Sequence, residues 1–291
     1  MKIITDFFWK NYYLSLFFHR NYEKILSIQA ELDQNPEKRD ELIPEYNRIM
    51  RDICVDGVFK TTSQHRLVKT DEIIVDFLRS MKKRECAILD VGASDGTTTL
   101  DLHERIKAAL PGHNVAITMI DRNVHMARFE GRVVNEYRDS SGKPLMVQLG
   151  RLGFRYPRSE YRFDILHNLL MKVYSEFREK LEFRKSEEYM LINPLVSRTE
   201  TIQVIEQDLF KVDQLGKKFD VIRACNVLND VYFSKEQIQT AERLFCSIMN
   251  DGGLYVKTRN AMHKKLLEGT ILEEELTQVF RKANGELQKV E

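Results

Sequence analysis

The chain has 291 residues, of which 43% are hydrophobic and 31% are charged. That length suits one or two domains with a sizeable core, and the composition excludes a largely disordered chain. Lysines and arginines number 45 against 44 aspartates and glutamates, so the overall charge lacks the basic excess typical of nucleic-acid-binding proteins.

The cysteines Cys54, Cys86, Cys225 and Cys246 lie far apart, without C-x-x-C spacing. This pattern is typical of reduced thiols in a cytoplasmic protein. The N-terminal region lacks a signal-peptide pattern, and its longest apolar run, residues 12–18, is far shorter than the ~20 residues that span a bilayer. We therefore predict a cytoplasmic protein without a transmembrane segment.

The first 55 residues have helical periodicity. Apolar side chains between Phe7 and Ile25 recur at helical spacing, and a second helical stretch follows Pro36. Thr70 is predicted to cap the next helix, because acidic residues follow it in the first turn. We predict that residues 1–69 form a helical N-terminal cover, which acts as a lid or a dimer element rather than a lipid anchor.

From Cys86 onward, short β-type runs alternate with helical stretches. The predicted strands are 86–91, 115–121, 201–208, 219–224 and 253–258, with helices at 98–109, 235–249 and 271–282 and a final strand at 285–290. Strands with continuous apolar cores are typical of a parallel sheet covered on both faces. The order predicts a doubly wound, mostly parallel α/β domain made of residues 70–121 and 201–291.

The first predicted strand runs into a glycine turn, ILDVGASDG at residues 88–96, and a helix begins near Thr97. In such folds ligands bind beyond the carboxyl ends of the strands, where the free N–H groups of a helix N-terminus point. We interpret Gly92 and Gly96 as positions without a Cβ atom, so that a ligand can approach the backbone. The turn is therefore the predicted binding site.

Carboxylates around this turn indicate the charge of the ligand. Asp90 precedes the turn and Asp95 lies inside it, so a pyrophosphate would be repelled, whereas the sulfonium and ammonium of S-adenosylmethionine (SAM) fit. Asp121 ends the second strand, where a carboxylate can accept both hydroxyls of a ribose. Asp208 closes the third strand, where it and the Leu209 amide would reach an adenine edge. A single aspartate at a strand end caps a helix or turn about as often as it binds a ligand. Three such aspartates in register, Asp90, Asp121 and Asp208, favour a nucleoside ligand.

Four segments together resemble the class I SAM-dependent methyltransferases over about residues 66–270. They are ILDVGASDGTTT, VAITMIDR, IEQDLF and FDVIRACNVLNDVYFSKEQIQTAERLFCSIMNDGGLYV, and the last also resembles part of the chemotaxis-receptor methyltransferases. The resemblance implies a Rossmann-like methyltransferase fold, SAM as the cofactor, and a backbone carbonyl near Ala224 or Cys225 beside the methionyl ammonium. The predicted cofactor site comprises Asp90, Gly92, Ala93, Ser94, Gly96, Thr97, Asp121, Arg122, Asp208, Leu209, Ala224 and Asn226, with Arg66 as partner of the cofactor carboxylate.

Methyl transfer is an in-line displacement at the sulfonium carbon, so the protein mainly holds the nucleophile in line and excludes water. The loop after the fourth strand runs past the methyl group, and Asn229 and Tyr232 there are the candidates for positioning a substrate by hydrogen bonds. The alternatives are that Asn229 belongs to a turn and that Tyr232 lies in the core. The sequence has no His, Cys or carboxylate cluster with metal-ligand spacing, so no metal is predicted.

Residues 122–200 form a longer segment than this fold needs between its second and third strands, where one helix and two loops would suffice. A β-hairpin around Ser141-Gly142 and an amphipathic helix at 161–185 are predicted there. Long insertions on a rigid scaffold commonly recognise substrates, so we predict an inserted substrate-recognition module. Basic and aromatic residues interleave over 151–185, which leaves peripheral membrane contact open, although a packed helix with solvated charges is favoured.

The sequence therefore predicts a SAM-dependent methyltransferase that acts on a small molecule and has no nucleic-acid partner. Three alternatives stay open: transfer or cyclisation of the aminocarboxypropyl arm of the same cofactor, methylation of a protein, and a non-catalytic cofactor-binding regulatory protein. A homodimer through the N-terminal cover is compatible with each of them.

Overall fold

The computed structural model describes residues 14–15, 18–50, 54–55, 58–60, 62–132, 134–149, 152–155, 172–176, 178, 182–230, 232–264 and 271–290. The chain divides into two compact units, Met1–Thr61 with Asn123–Leu191 and Thr62–Arg122 with Ile192–Glu291. The predicted divisions after residues 69, 121 and 200 stay predictions. Most of the N-terminal segment and most of the insertion, which the sequence predicted as separate parts, belong to one unit.

The first unit contains two helices where the periodicity of the N-terminal region predicted them, but Leu14–Ser15, inside the predicted helical stretch from Phe7 to Ile25, form strand β1. Helix α1 spans Phe18–Gln34 and helix α2 spans Arg39–Met50, with a 3-10 turn at Pro36–Lys38 between them. Side chains on both helices are fully buried, among them Leu32 and Tyr46. Two short strands, β2 (Cys54–Val55) and β3 (Val58–Phe59), then pair with each other.

The insertion contributes most of a six-stranded antiparallel sheet in this unit. Its strands are β1 (Leu14–Ser15), β6 (His125–Gly131), β7 (Val134–Asp139), β8 (Pro144–Leu149), β9 (Leu152–Arg155) and β10 (Phe183–Met190), in the order β1-β9-β8-β7-β6-β10. The predicted hairpin around Ser141-Gly142 is confirmed, since β7 and β8 pair antiparallel across it. Because β7 and β8 lie in the middle of the sheet, the hairpin is part of the unit's framework.

The predicted helix at 161–185 is only partly covered by the described residues. Residues 172–176 and residue 178 are helical, whereas residues 156–171, 177 and 179–181 lie outside the described residues. The end of the prediction is wrong, because Phe183–Lys185 belongs to strand β10, which pairs antiparallel with β6.

The second unit is built on a seven-stranded, mostly parallel sheet. Its strands are β4 (Glu85–Val91), β5 (Asn114–Asp121), β11 (Ile202–Glu206), β12 (Phe219–Cys225), β13 (Met249–Lys264), β14 (Ile271–Ala283) and β15 (Glu286–Val290), in the order β11-β5-β4-β12-β13-β14-β15. The first five in this order run parallel to their neighbours. The predicted doubly wound α/β architecture is confirmed.

Helices of this unit connect the strands and supply the outer layers. They are α3 (Val68–Ser80), α4 (Thr97–Ala109), α5 (Pro194–Ser197) and α6 (Lys235–Ser247), and a 3-10 segment at Leu209–Leu215 follows β11. Ser234 caps α6 with a full capping box involving Gln237. The predicted cap at Thr70 is wrong, because α3 already begins at Val68 and Thr70 lies inside its first turn.

The C-terminal part contains the largest error in the predicted elements. Residues 271–282 were expected to form a helix, but they lie in strand β14, which pairs with β13 over eleven registered residues from Leu254↔Arg281 to Lys264↔Ile271. Phe280 stacks on Tyr255 at 5.5 Å between ring centroids, while Arg281 lies over the Phe77 ring of α3 at 4.2 Å. Contacts on both faces of β14 explain why its sequence lacks strict polar and apolar alternation. The final strand at 285–290 is confirmed as β15.

Candidate functional site

The glycine turn joins β4 to α4 and is fastened to the end of β5. The Gly92 and Ala93 amides both donate to the Ile120 carbonyl oxygen, at 2.9 and 3.1 Å. Gly92, Ser94 and Gly96 have φ angles of 66°, 61° and 82°, so three positions of this turn are left-handed. The turn is therefore a fixed loop between the carboxyl ends of two neighbouring parallel strands.

The missing Cβ atoms make room for protein side chains. A Cβ at Gly92 would lie 2.7 Å from Cβ and Cγ2 of Val227, and a Cβ at Gly96 would lie 2.9 Å from Met119 Sδ and Val196 Cγ2. The sequence-based interpretation, in which the glycines also clear space for a ligand, stays a prediction. Both positions require glycine because of their backbone conformation and because neighbouring strands and loops pack directly on them.

Asp95 and Thr97 lie inside the domain rather than at its surface. The Asp95 side chain is 0% exposed and accepts the Thr97 amide at 2.9 Å, at the start of α4. The Asn193 side-chain amide donates to Thr97 Oγ1 at 3.1 Å, and the Asn193 backbone amide donates to the Asp95 carbonyl oxygen at 2.8 Å. Thr97 therefore supports the helix start, and its predicted cofactor contact stays a prediction.

Asp121 lies beside the glycine turn. It ends β5, is half-buried, and accepts the Ser94 amide on Oδ2 at 2.9 Å. Its own carbonyl oxygen accepts the Gln207 amide at 3.0 Å, which joins it to the end of β11. The carboxylate thus lies at the rim of the glycine turn, where the sequence predicted a ribose partner.

Asp208 follows β11 and begins the 3-10 segment. Its side chain accepts the Phe210 amide at 3.0 Å, so it is an N-cap residue, as one reading of the sequence allowed. Asp208 is half-buried, and Leu209 is buried in the core with residues such as Val91 and Ile120. The predicted adenine contacts of Asp208 and Leu209 stay predictions.

The loop after β12 closes over the glycine turn. Asn226 has a φ of 59°, and its amide donates to the Thr258 carbonyl oxygen at 2.8 Å. The Asn229 side-chain amide donates to the Asn226 carbonyl oxygen at 2.9 Å, which fixes the turn that carries Val227 onto Gly92. The structure therefore favours the turn interpretation of Asn229. Tyr232 is 49% exposed, so the alternative that placed it in the core is wrong.

The remaining predicted residues surround this turn in different ways. Arg66 is half-buried in the turn that precedes α3, and Arg122 is exposed directly after β5. Ala224, at the end of β12, is buried between Val91 of β4 and Lys257 of β13. Their predicted cofactor contacts, including that of the carbonyl group near Ala224, stay predictions.

A buried ion cluster lies beneath the turn. Arg223 Nε donates to Asp90 Oδ1 at 3.0 Å, Arg223 Nη2 donates to Asp90 Oδ2, and Arg223 Nη1 donates to Asp71 Oδ1 at 2.8 Å. The Thr99 hydroxyl donates to Asp90 Oδ2 at 2.6 Å. Arg223 is 0% exposed, and Asp71 and Asp90 are each 2% exposed. The Asp90 carboxylate therefore faces the interior, where it supports the turn, and its predicted cofactor contact stays a prediction.

The charges of this cluster are not balanced, because one guanidinium faces two carboxylates. Burial raises the pKa of Asp71 to about 7, and the neighbouring Asp90 carboxylate adds to the increase, while Arg223 opposes it. Burial opposes the charge of Arg223, but Asp90 and Asp71 more than compensate and raise its pKa. Arg223 is therefore charged at every relevant pH, and Asp71 is the carboxyl that titrates near neutrality.

Sequence reasoning missed this cluster and the packing of Val227 on Gly92. A charged residue inside an otherwise apolar strand, FDVIRAC, was a usable signal for Arg223, because a buried guanidinium requires carboxylate partners. Asp71 was interpreted only as a residue of the first turn of a helix. Its partner lies 152 positions away in the sequence, so local patterns could not identify the pair.

The raised pKa of Asp71 predicts a pH-dependent stability. Its folded-state value of about 7 lies above its ordinary value of 3.8, so the native chain binds more protons than the unfolded chain between these pH values. The stabilisation that comes from the protonated Asp71 is fully present below pH 3.8, the ordinary pKa. It is lost as the pH rises through about 7, the folded-state pKa. Relative to Asp71→Asn, the free energy of unfolding of the wild type should fall by about 2–3 kcal/mol between pH 5 and pH 8.

Urea unfolding of both proteins at several pH values measures this difference. Asp76→Asn is the matched control, because Asp76 lies on the same helix with its side chain 71% exposed. The control should show the pH dependence of the wild type. A constant difference between wild type and Asp71→Asn across this range would contradict the prediction.

Comparison with known proteins gives structural matches only. No protein-family model matches the chain, and no curated protein matches it significantly. Among similar solved structures is a SAM-bound amino pentose methyltransferase from Micromonospora echinaspora, at 12% identity and a TM-score of 0.32, over 73% of this chain and 62% of that one. A SAM-dependent methyltransferase from Clostridium acetobutylicum aligns at 11% identity and a TM-score of 0.35, over 86% and 78%. A carbon methyltransferase aligns at 13% identity and a TM-score of 0.36, over 81% and 52%.

These neighbours are described as methyltransferases, the class of protein that the sequence motifs resemble. The chain spans less than two thirds of the length of the first and third of them. Because the TM-scores lie below 0.5, the alignments carry no weight for function.

Proposed function

We propose that the second unit binds SAM at the glycine turn and transfers its methyl group to a small molecule. The observation that carries the proposal is the position of Asp121, whose carboxylate accepts the Ser94 amide at the rim of the turn. A carboxylate in this position suits the two hydroxyls of a ribose, because a carboxylate group has several acceptor sites.

The strand order supports the location of the site. From β4 the sheet continues to β5 and β11 in one direction and to β12 and β13 in the other. In open α/β sheets, ligands bind at such a switch point, beyond the carboxyl ends of the strands. The glycine turn after β4 and the loop after β12 flank this crevice, and the contact of Val227 with Gly92 joins them.

The residues of the site suit a nucleoside with a positive centre. Asp121 would accept the ribose hydroxyls, and the half-buried Asp208 at the end of β11 lies where an adenine edge is expected. The second carboxylate of the buried cluster leaves negative charge under the turn, which favours a sulfonium over a pyrophosphate. When bound, SAM supplies a methyl group activated on its sulfonium.

The chain's own residues would position and enclose the reactants. Asn229 holds the loop after β12 in place, so Val227 closes one side of the turn. The exposed Tyr232 is then the candidate for holding a substrate by a hydrogen bond. Positioning of this kind supplies much of the rate acceleration in a displacement that needs no general base.

The small-molecule substrate and a cytoplasmic location belong to the proposal as well. The near balance of charges gives no basis for a nucleic-acid substrate. Cys86, Cys225 and Cys246 are free thiols, which suits a reducing compartment. Among the described residues, no helix has the length and apolar character needed to cross a membrane.

Asp121→Asn tests the proposed nucleoside site. The amide oxygen can still accept the Ser94 amide, but the charged acceptor for the ribose hydroxyls is lost, so affinity for S-adenosylhomocysteine should fall about 10- to 100-fold. Calorimetry measures the affinity, and thermal unfolding checks that the fold is intact. Asp213→Asn, an exposed aspartate of the same unit, is the control and should bind like the wild type.

The products separate methyl transfer from the other chemistry that the same cofactor permits. Incubation with SAM and a metabolite extract should yield S-adenosylhomocysteine, measured by mass spectrometry. Methylthioadenosine in its place would show transfer or cyclisation of the aminocarboxypropyl arm. Binding of SAM without turnover on any extract would favour a regulatory protein.

A further inference from the structure

The buried cluster described above connects four elements directly beneath the glycine turn. Arg223 of β12 binds Asp71 of α3 and Asp90 of β4, and Asp90 also accepts the hydroxyl of Thr99 on α4. Asp90 lies two residues before Gly92, so the cluster fixes the carboxyl end of β4, where the glycine turn begins. Any ligand charge placed on the turn therefore acts on these buried carboxylates.

Further charged groups surround Asp71 from each packed element. Asp101 of α4 also increases the pKa of Asp71, and the Asp101 carboxylate accepts the His65 amide at 2.6 Å. Cys225 follows the cluster on β12, and burial raises the pKa of its thiol to about 12, so it stays neutral. From β14, Glu275 accepts the Thr70 amide at 3.0 Å, and Arg281 lies over Phe77.

Carboxylates therefore outnumber cations around Asp71. The groups that act on its charge are Asp90, Asp101 and Arg223, with Cys225 close by on β12. His65, Glu275 and Arg281 are the further titratable or charged groups on the segments packed around α3. Of these, Arg223 alone donates a hydrogen bond to the Asp71 carboxylate among the contacts of the described residues. A buried cluster with surplus negative charge is expected to respond to a cation bound nearby.

We propose that Arg223 and Asp71 are positioning residues of the cofactor site, which fix Asp90 under the glycine turn and release a proton when a cationic ligand binds there. This inference rests on the proposed binding of SAM. It adds a role for residues that do not themselves touch the ligand, and it predicts that binding of the sulfonium is coupled to pH.

The direction of the coupling follows from electrostatics. With a pKa of about 7, Asp71 is about half protonated at neutral pH before a ligand binds. A positive charge on the turn favours the ionised carboxylate, so the proton leaves to solvent when SAM binds. S-adenosylhomocysteine lacks the sulfonium charge but carries the same α-ammonium. Its binding should therefore cause the protein to release fewer protons than the binding of SAM.

Calorimetry in two buffers of different ionisation enthalpy, phosphate and Tris at pH 7, counts the protons released. For the wild type we expect up to about half a proton for each SAM bound, and clearly less for S-adenosylhomocysteine. The release should approach zero at pH 8.5, where Asp71 is already ionised in the free protein. A merely structural role of the cluster would not produce this difference between the two ligands.

Asp71→Asn is the decisive variant, because asparagine has nearly the shape of aspartate and cannot titrate. This variant should bind both SAM and S-adenosylhomocysteine, and the difference in proton release between the two ligands should disappear. Asp76→Asn, on the exposed side of the same helix, should behave like the wild type. If Asp71→Asn does not fold, the wild-type pH series alone tests the coupling.

Equal heats in the two buffers for wild-type protein and SAM at pH 7 would overturn the inference. Proton release that persists unchanged in Asp71→Asn would also overturn it, since another group would then be its source. Failure of the proposed function has a different signature, because neither SAM nor S-adenosylhomocysteine would then bind to any of these proteins.

Discussion

Arg223→Met is expected to destabilise the protein by about 3–5 kcal/mol, because it leaves two buried carboxylates without their cation. The methionine retains most of the volume of the arginine stem, so the loss reports mainly on charge. Arg223 is 0% exposed and binds both Asp71 and Asp90, so its removal leaves both carboxylates buried without their ion pair. Urea unfolding at pH 8, where Asp71 is ionised in the wild type, measures the loss.

Arg259→Met is the matched control, since Arg259 pairs with Asp230 at the surface and both side chains are more than half exposed. Its effect should stay within about 0.5 kcal/mol. The double variant Arg223→Met/Asp71→Asn should recover part of the loss, because only one buried charge remains uncompensated. A loss below about 1 kcal/mol for Arg223→Met would contradict the proposed role of the cluster.

Gly92→Ala is expected to destabilise the protein by about 2–5 kcal/mol, through two separate costs. An alanine at a φ of 66° pays the left-handed penalty of about 1–2 kcal/mol. Its Cβ would also lie 2.7 Å from Val227, and overpacking of this kind typically costs about 1–3 kcal/mol. Chemical denaturation gives the sum of the two.

Gly252→Ala separates the two costs. Gly252 has a similar φ of 75°, but a Cβ there meets nothing within 4 Å, so only the conformational cost should appear. Val227→Ala should relieve part of the crowding when combined with Gly92→Ala, and the double variant should lose less than the two single losses together. Equal losses for Gly92→Ala and Gly252→Ala would show that the contact with Val227 has no energetic weight.

The parallel part of the fold could be predicted from the sequence because its signals are local. The strands around residues 86–91, 115–121 and 219–224 are apolar runs bounded by turn residues, and β4, β5 and β12 lie where those runs occur. The segment at 271–282 shows where local patterns fail. Its helical spacing is overridden by pairing with β13, and only the tertiary structure provides that partner.

The candidate site shows the same division between local and long-range information. The glycine turn and Asp121 could be identified from the sequence, since both mark strand ends. The structural reason for glycine at position 92 could not be identified from the sequence, because the side chain that fills the space beside it belongs to Val227 in a distant loop. The role of Asp90 was also beyond local reasoning, since a carboxylate before a glycine turn has the same sequence pattern whether it faces a ligand or Arg223.

A calorimetric titration of the wild-type protein with S-adenosylhomocysteine, and separately with NADH, is the most direct test of the site. Saturable uptake of the thioether nucleoside at one equivalent per chain, with no heat from the dinucleotide, is the outcome that we expect. Uptake of NADH alone would show that the crevice between β4 and β12 accepts a pyrophosphate, which contradicts the proposed site.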